Sequence, residues 1–122
     1  MWNGIDRRKF PRAVYKCLIT IKRRLTSKTI STQTENIGAG GICVLIKEDL
    51  GLFQGVDLEI YLDDGKGAVK CGGTVVWVVK KASGRSKGNV MFDTGIEFID
   101  IRPADQDRIA LIVESILKKE ER

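Results

Sequence analysis

Two stretches of sequence decide the fold of this chain: DRRKFPR at residues 6–12 and NIGAGG at residues 36–41. The first contains three arginines and a lysine, and Pro11 prevents it from continuing as a helix. Arginine suits planar, two-pronged contacts with phosphate or with a guanine edge, because its N–H donors form a rigid fork. The second stretch has the side-chain amide of Asn36 and three glycines, which let a backbone lie close against a ligand. Residues 6–12 supply positive charge and forked donors, and residues 36–41 supply a backbone that can lie close to a ligand.

The order and spacing of these residues resemble the PilZ domain family, whose pattern is Arg-x-x-x-Arg followed by Asp/Asn-x-Ser-x-x-Gly. Arg8 and Arg12 fill the first motif, and residues 36–41 fill the second except that Gly38 stands in place of the serine. The likeness continues through GIEFI at residues 95–99 and so covers nearly the whole chain. The resemblance implies a receptor for the bacterial second messenger cyclic di-GMP.

The resemblance also implies which residues bind that ligand. Arg8 and Arg12 would grip phosphate and guanine, and Asn36 would reach a guanine edge. Family members with an arginine at the place of Arg7 tend to bind an intercalated pair of ligand molecules. Because Gly38 has no hydroxyl, one hydrogen bond of roughly 0.5–1.5 kcal/mol is lost relative to the family. The expected ligand-binding residues are Arg7, Arg8, Arg12, Asn36, Gly38, Gly40 and Gly41.

The length and composition of the chain fit one folded domain. Its 122 residues suit one core, and a hydrophobic content of 43% argues against both a disordered and a membrane-embedded chain. The longest apolar run, residues 75–79, is too short to cross a bilayer. The first residues include Asn, Asp and Arg where a signal peptide needs an apolar stretch. We therefore expect a cytoplasmic protein with no membrane span.

Positive charge is concentrated in the first quarter of the chain. Up to Ser31 there are nine basic residues against Asp6 alone, a net charge of +8, which leaves −3 for the rest of a chain whose total is +5. This asymmetry indicates an anionic partner for the N-terminal part. The alternative, a solvated charged edge strand, explains residues 22–24 better than it explains residues 7–12. We expect a flexible basic arm over residues 1–12 and a single domain over residues 13–122.

The hydrophobic pattern predicts six strands followed by a helix. Alternating patterns, short apolar runs and, at residues 29–35, a high threonine content indicate strands over residues 13–22, 29–35, 42–46, 56–62, 68–81 and 90–99. Apolar residues at helical spacing after Pro103 predict a helix over about residues 103–120. Leu50, Leu52 and Phe53 are expected to fold over a barrel end, and Gly72-Gly73 to form a bulge or a sharp bend. The predicted fold is all-β, a small six-stranded antiparallel barrel with one C-terminal helix, which is also the fold that the resemblance implies.

Several kinds of chemistry are disfavoured by what the sequence lacks. Without histidine, the usual general base and triad member is missing, and residues 36–41 lack the Gly-Lys-Ser/Thr end of a Walker loop. Cys17, Cys43 and Cys71 are widely separated in apolar sequence, so we expect buried, reduced cysteines and not a zinc site. We expect no enzyme activity, no bound metal and no cofactor other than the ligand.

We expect the chain to bind cyclic di-GMP and to pass the signal to a partner protein, an effector in motility, biofilm or transcriptional control. Neutralisation of the arginines would fold the basic arm across the barrel and change the surface that the partner meets. One alternative is a degenerate PilZ domain that only binds protein. Another is a small barrel for single-stranded nucleic acid, which the scarcity of aromatic residues (7%) disfavours. Trp77 is expected in the core or on the barrel surface, with stacking on a ligand as the alternative.

Overall fold

The computed structural model describes residues 10–82 and 90–120, and over these residues the chain forms seven antiparallel strands and one helix. The strands are β1 (Arg12–Val14), β2 (Leu18–Arg23), β3 (Thr29–Gly38), β4 (Gly41–Ile46), β5 (Gly55–Tyr61), β6 (Val69–Ala82) and β7 (Val90–Ile99), and the helix is α1 (Pro103–Glu120). These strands cover the six stretches that the sequence predicted as strands, the first of which is divided into β1 and β2.

Six of the strands close into a barrel. The sheet runs in the order β3-β2-β5-β6-β7-β4, and β4 pairs back onto β3. The short strand β1 pairs with the end of β3, so that Arg12 lies opposite Gly38 and Val14 lies opposite Asn36. All pairings are antiparallel. The predicted fold class, a six-stranded antiparallel barrel with one C-terminal helix, is confirmed.

The first predicted strand is interrupted between β1 and β2, and Thr34 accounts for the interruption. The side-chain hydroxyl of Thr34, which is 1% exposed, accepts a hydrogen bond from the Cys17 backbone N–H (3.1 Å) and donates to the Tyr15 carbonyl (2.6 Å). These bonds satisfy backbone groups that a regular ladder would otherwise pair, so a buried break is tolerated. Because of the break, β1 is a separate strand that crosses the end of β3.

The barrel interior is filled by branched aliphatic side chains. Its fully buried members include Ile19, Ile21, Ile37, Ile42, Val44, Leu58, Ile60, Val69, Val75 and Ile96. Of the two alternatives predicted for Gly72-Gly73, a bulge or a sharp bend, the bulge does not occur, because both glycines pair in register with β5 and β7. A Cβ on Gly73 would meet the Ile96 side chain at 2.6 Å, so this glycine makes room for the core.

The three cysteines are free thiols, and the prediction that they are buried is confirmed for two of them. Cys17 and Cys43 are buried, whereas Cys71 is only partly buried. The raised pKa of Cys71, about 11, results mainly from burial and secondarily from the negative charge of Asp105. Burial also raises the pKa of Cys17, against the opposing effect of its hydrogen bond with Thr34. Thiols with such pKa values stay protonated at neutral pH and behave as small apolar groups.

The helix α1 packs Ile109 and Val113 into the barrel end and is fixed at its first turns by Arg108. The Arg108 guanidinium donates to both carboxylate oxygens of Asp64 (2.9 and 3.0 Å), to the Gly67 carbonyl (2.8 Å) and to Asp105 (3.1 Å). The side chain of Arg108 is 15% exposed, so this bidentate pair is more than a surface contact. Within residues 10–82 and 90–120, no helix is long and apolar enough to cross a membrane.

The loop between β4 and β5 only partly covers the barrel. Leu50 is fully buried in the core as predicted, but Leu52 and Phe53 are 49% and 72% exposed, so the prediction for these two residues is wrong. The reason lies in the backbone, which pairs with β6 through Phe53 N to Val75 O (2.7 Å) and Val75 N to Gln54 O (3.0 Å). This pairing, with Phe53 at φ 67°, turns both side chains outward.

Candidate functional site

The glycine-rich stretch at residues 36–41 forms the tight hairpin between β3 and β4. Gly38 pairs with Gly41 across a two-residue turn. The turn is anchored from two sides, because the Gln106 side chain of α1 donates to the Ala39 carbonyl (3.0 Å) and Phe98 N donates to the Gly40 carbonyl (2.9 Å). Its position is therefore fixed by the helix and by β7.

The glycines of this hairpin are in contact with the segment that leads into β1. A Cβ on Gly38 would meet the Pro11 carbonyl oxygen at 2.7 Å and Arg12 Cγ at 3.0 Å, and a Cβ on Gly40 would meet the Phe10 ring at 2.7 Å. Within the described residues, positive φ occurs at Gly51 and Gly65 among the glycines, and not in this hairpin. The glycines are thus needed for close approach rather than for a left-handed backbone.

Four residues from four strands form a row across the outer face of the barrel. Asn36 on β3 pairs with Cys43 on β4, Cys43 pairs with Gly95 on β7, and Gly95 pairs with Trp77 on β6. The adjacent row consists of fully buried core residues, so this row faces outward by the alternation of a strand. Cys43 is nevertheless only 4% exposed, although it is not part of the interior cluster. Its thiol is therefore covered by side chains of the outer face.

Bulges adjoin both ends of this row. The register of β3 shifts between Thr34 and Asn36, which makes Glu35 the extra residue. The register of β6 shifts between Val75 and Trp77. A bulge changes the direction of the side chains that follow it, and bulges are common beside binding sites. Here they turn Asn36 and Trp77 toward the same outer surface.

Arg12 lies between the two ends of the row. Its Nη1 donates a hydrogen bond to Asn36 Oδ1 (3.3 Å), and its Cζ lies 5.2 Å from the centre of the Trp77 ring. The indole itself lies directly on Gly95, because a Cβ at that position would overlap the ring atoms of Trp77. The guanidinium is thus held by an amide on one side and by an aromatic face on the other, a cation–π arrangement.

An acidic group lies next to this arginine. The ligand atoms of Glu35, Cys43 and Asp93 are within 4.8 Å of one another. The Cys43 thiol donates to Asp93 Oδ1 (2.8 Å), and Lys81 Nζ lies 3.7 Å from Asp93 Oδ2. Burial, the bond to Asp93 and the charges of both carboxylates raise the pKa of Cys43 to about 12, while the nearby Arg12 acts in the opposite direction. A cation bound by these three residues would have to displace the thiol proton, because the thiolate is the metal ligand.

The structure brings only some of the sequence-predicted residues together. Arg12 and Asn36 are in contact, and Gly38 and Gly40 adjoin the segment from Phe10 to Arg12. Gly41 lies against β7, where a Cβ would overlap the Ile96 carbonyl. Arg7 and Arg8 lie outside the described residues, and so does most of the predicted arm.

Sequence reasoning did not include Trp77, Glu35, Cys43 or Asp93 among the site residues. Trp77 was weighed as a stacking residue, and the structure gives its indole a half-buried position on the outer face with Arg12 above it. The other three sit on three different strands, and no local motif joins them. One signal was available for Glu35, because it directly precedes Asn36 in the predicted motif.

Away from Arg12, a concavity of about 350 Å³ lies on the outer face of β2, β5 and the start of β6. Its charged lining includes Lys22, Asp57, Glu59 and Lys70, two of each sign. Across the strands Lys22 lies opposite Asp57, and Lys70 lies opposite Glu59. The paired charges give this groove no preference for an anion.

Comparison with known proteins agrees with the architecture. A family model described as the PilZ domain matches residues 6–115. No curated protein sequence matches the chain. Among solved structures, the fold is similar to the inhibitor of motility MotI/DgrA from Bacillus subtilis, with a TM-score of 0.74 and 21% identity over 97% of this chain and 54% of that one.

Two further similar structures contain cyclic di-GMP according to their descriptions. The K. pneumonia MrkH–c-di-GMP complex has a TM-score of 0.71 and 16% identity over 94% of this chain and 54% of that one. The PilZ domain of YcgR from Escherichia coli with c-di-GMP has a TM-score of 0.65 and 12% identity over 93% and 94% of the two chains. At these identities the likeness concerns the fold. The chain spans about half the length of the MotI/DgrA and MrkH chains.

Proposed function

The chain belongs to the PilZ domain family, and on that basis we propose that it is a receptor for cyclic di-GMP whose site is the surface around Arg12, Asn36 and Trp77. The family model covers most of the chain, and two similar structures are described as complexes with this ligand. PilZ domains are regulatory receptor domains, which supports binding and not catalysis as the role of the site.

The observation that carries the proposal is the position of Arg12 between the Asn36 amide and the Trp77 ring. Cyclic di-GMP offers anionic phosphate oxygens and guanine O6 and N7 acceptors, and the guanidinium fork suits both. The Asn36 amide adds a donor and an acceptor for a base edge. The Trp77 ring lies on Gly95 and has the Arg12 guanidinium over it, so its role is to hold that fork in position for the ligand. These three side chains provide the donors that such a ligand requires.

The N-terminal arginines complete the proposed site. We assign Arg7 and Arg8 to further phosphate and guanine contacts, as the family pattern implies, and Gly38, Gly40 and Gly41 to the tight hairpin beside the ligand, where Gly38 and Gly40 let the segment from Phe10 to Arg12 lie close. Ligand binding would neutralise the arginines and order the segment before β1, which changes the surface presented to an effector protein. Two of the similar structures, the inhibitor of motility MotI/DgrA and the transcription regulatory factor MrkH, support an output in motility or gene expression.

Titration calorimetry with cyclic di-GMP tests this function directly. We expect a dissociation constant in the micromolar range or below, and a loss of at least tenfold in each of Arg8→Ala and Arg12→Ala, which corresponds to 1.4 kcal/mol for one charge-assisted fork. Arg24→Ala is the matched control, because Arg24 pairs with Asp57 on another face (3.0 Å). No heat at high ligand concentration and low salt would refute the receptor function.

A second function, binding of protein alone, is favoured by the exposed Leu52 and Phe53 (49% and 72%). It predicts a chain that binds no cyclic dinucleotide but whose partner binding is lost in Phe53→Ser. Binding of single-stranded nucleic acid would be distinguished from the receptor function by its salt dependence. Its affinity would fall steeply with ionic strength, and cyclic di-GMP would not compete with it.

A further inference from the structure

The proposed site contains two carboxylates, Asp93 and Glu35, and binding of an anion does not explain the presence of Glu35. Asp93 is engaged by the Cys43 thiol at 2.8 Å, with Lys81 3.7 Å away. The Glu35 carboxylate, in contrast, makes no hydrogen bond or ion pair with any residue in the ranges 10–82 and 90–120. Glu35 is exposed, and its carboxylate lies within 4.8 Å of the Cys43 sulfur and of an Asp93 oxygen. A glutamate in this place would repel phosphate unless it faces another part of the ligand.

The backbone holds Glu35 in this position. It is the extra residue of the β3 bulge, and its carbonyl accepts a hydrogen bond from Tyr15 N (3.4 Å). The next residue is Asn36, which contacts Arg12. Because of the bulge, the consecutive side chains of Glu35 and Asn36 both lie on the outer surface, whereas regular alternation would place one of them inside the barrel. Glu35 is therefore beside the proposed ligand contacts.

Cyclic di-GMP has one edge that suits a carboxylate. The Watson–Crick edge of guanine presents the N1–H and the exocyclic N2 amine as adjacent donors, whereas its Hoogsteen edge presents the acceptors O6 and N7. A carboxylate has two acceptor oxygens at a spacing that matches two parallel N–H donors. The donors of Arg12 match the acceptor edge, and the oxygens of Glu35 match the donor edge.

We propose that Glu35 accepts hydrogen bonds from the Watson–Crick edge of a bound guanine and thereby makes the site select guanine over adenine. This inference rests on the proposed function and adds a specificity-determining residue to it. Adenine has no N1–H, and the lone pair on its N1 would face the carboxylate. A site built around donors on its ligand strongly rejects an analogue that lacks them, because its own polar group is left unpaired.

Calorimetry with three ligands and four proteins tests the inference. The ligands are cyclic di-GMP, cyclic di-IMP, which keeps N1–H but lacks the N2 amine, and cyclic di-AMP. The proteins are the wild type, Glu35→Gln, Glu35→Ala, and Glu59→Gln. Glu59→Gln is the control, with the same charge change as Glu35→Gln on the face of β5, where Glu59 accepts a hydrogen bond from Tyr61 (2.8 Å). EDTA in all buffers removes any contribution of a cation held by Glu35, Cys43 and Asp93, and thermal melting verifies that each variant is folded.

We expect the wild type to bind cyclic di-GMP most tightly, cyclic di-IMP less tightly and cyclic di-AMP least tightly. Glu35→Gln should weaken cyclic di-GMP at least tenfold and leave cyclic di-AMP unchanged or a few-fold tighter, because a glutamine can pair with adenine. Glu59→Gln should behave as wild type. Glu35→Ala, which cannot pair with either base, should lose cyclic di-GMP affinity without any gain for adenine.

Three results would overturn the inference while the proposed function stands. If Glu35 only repels phosphate, Glu35→Gln binds all three ligands more tightly. If it only positions Arg12, Glu35→Gln weakens all three ligands equally. If it faces away from the ligand, the variant matches Glu59→Gln. Absence of cyclic di-GMP binding by the wild type would instead refute the receptor function, and this inference with it.

Discussion

Substitution of Gly38 by serine introduces the residue that the family motif has at this place, and the structure predicts that it weakens the site. The sequence alone favours a gain, because a hydroxyl would restore one polar contact of about 1 kcal/mol. In the structure, however, a Cβ on Gly38 would lie 2.7 Å from the Pro11 carbonyl oxygen and 3.0 Å from Arg12 Cγ. Both neighbours belong to the segment that carries Arg12 to the site. Left-handed backbone strain does not add to this effect, because the φ of Gly38 is not positive.

The size of the effect follows from the required movement. Ordinary contact with a Cβ begins at 3.4 Å, so the Pro11 carbonyl must retreat by about 0.7 Å, the difference between 3.4 and 2.7 Å. Overpacking costs about 1–3 kcal/mol, and we expect the lower end because β1 is a short edge strand that can move. A loss of about 1 kcal/mol lowers the melting temperature by about 4 °C in a domain of this size. If the movement also separates Arg12 from Asn36, affinity for cyclic di-GMP falls about tenfold.

Differential scanning calorimetry of the ligand-free protein and titration with cyclic di-GMP measure both quantities. Gly67→Ser is the matched control, because a Cβ at Gly67 would meet nothing within 4 Å and its φ is not positive. We expect Gly67→Ser to match wild type in both measurements. Tighter binding by Gly38→Ser with an unchanged melting temperature would refute the reasoning, since it would mean that β1 does not lie against Gly38.

Two further predictions concern other contacts of the fold. Gly95→Ala should lift the Trp77 indole from its strand and change the tryptophan emission. It should also weaken cyclic di-GMP binding about fivefold, because a cation–π contact is worth about 1 kcal/mol. Unchanged emission and affinity would contradict this prediction. Hydrogen bonding from Arg108 holds the pKa of Asp64 below its usual range, so this pair stabilises the fold above about pH 4 and the stability is lost as the pH falls through the folded-state pKa. In urea titrations from pH 7 to pH 2, Asp64→Asn should be less stable at pH 7 by roughly 1–2 kcal/mol and lose less on acidification, whereas Asp63→Asn should follow wild type.

Local patterns determined much of the fold before any contact was known. Alternation identifies β2 and β5, and helical spacing after Pro103 identifies α1, because both signals depend only on which neighbouring residues are apolar. The break between β1 and β2 is not visible in this way. It depends on the hydroxyl of Thr34, which reaches Cys17 and Tyr15 from another strand.

The sequence by itself predicted two parts of the candidate site, the arginine pair at residues 8 and 12 and the turn at residues 36–41, because each is a short motif with fixed spacing; the structure describes Arg12 and the turn, and Arg8 stays a prediction. The tertiary structure alone decided that Trp77, Cys43 and Glu35 share a surface with Arg12. The physical reason is strand register. Pairing of β3, β4, β7 and β6 aligns residues far apart in the chain, and one extra residue in each of two bulges decides which side chains face outward.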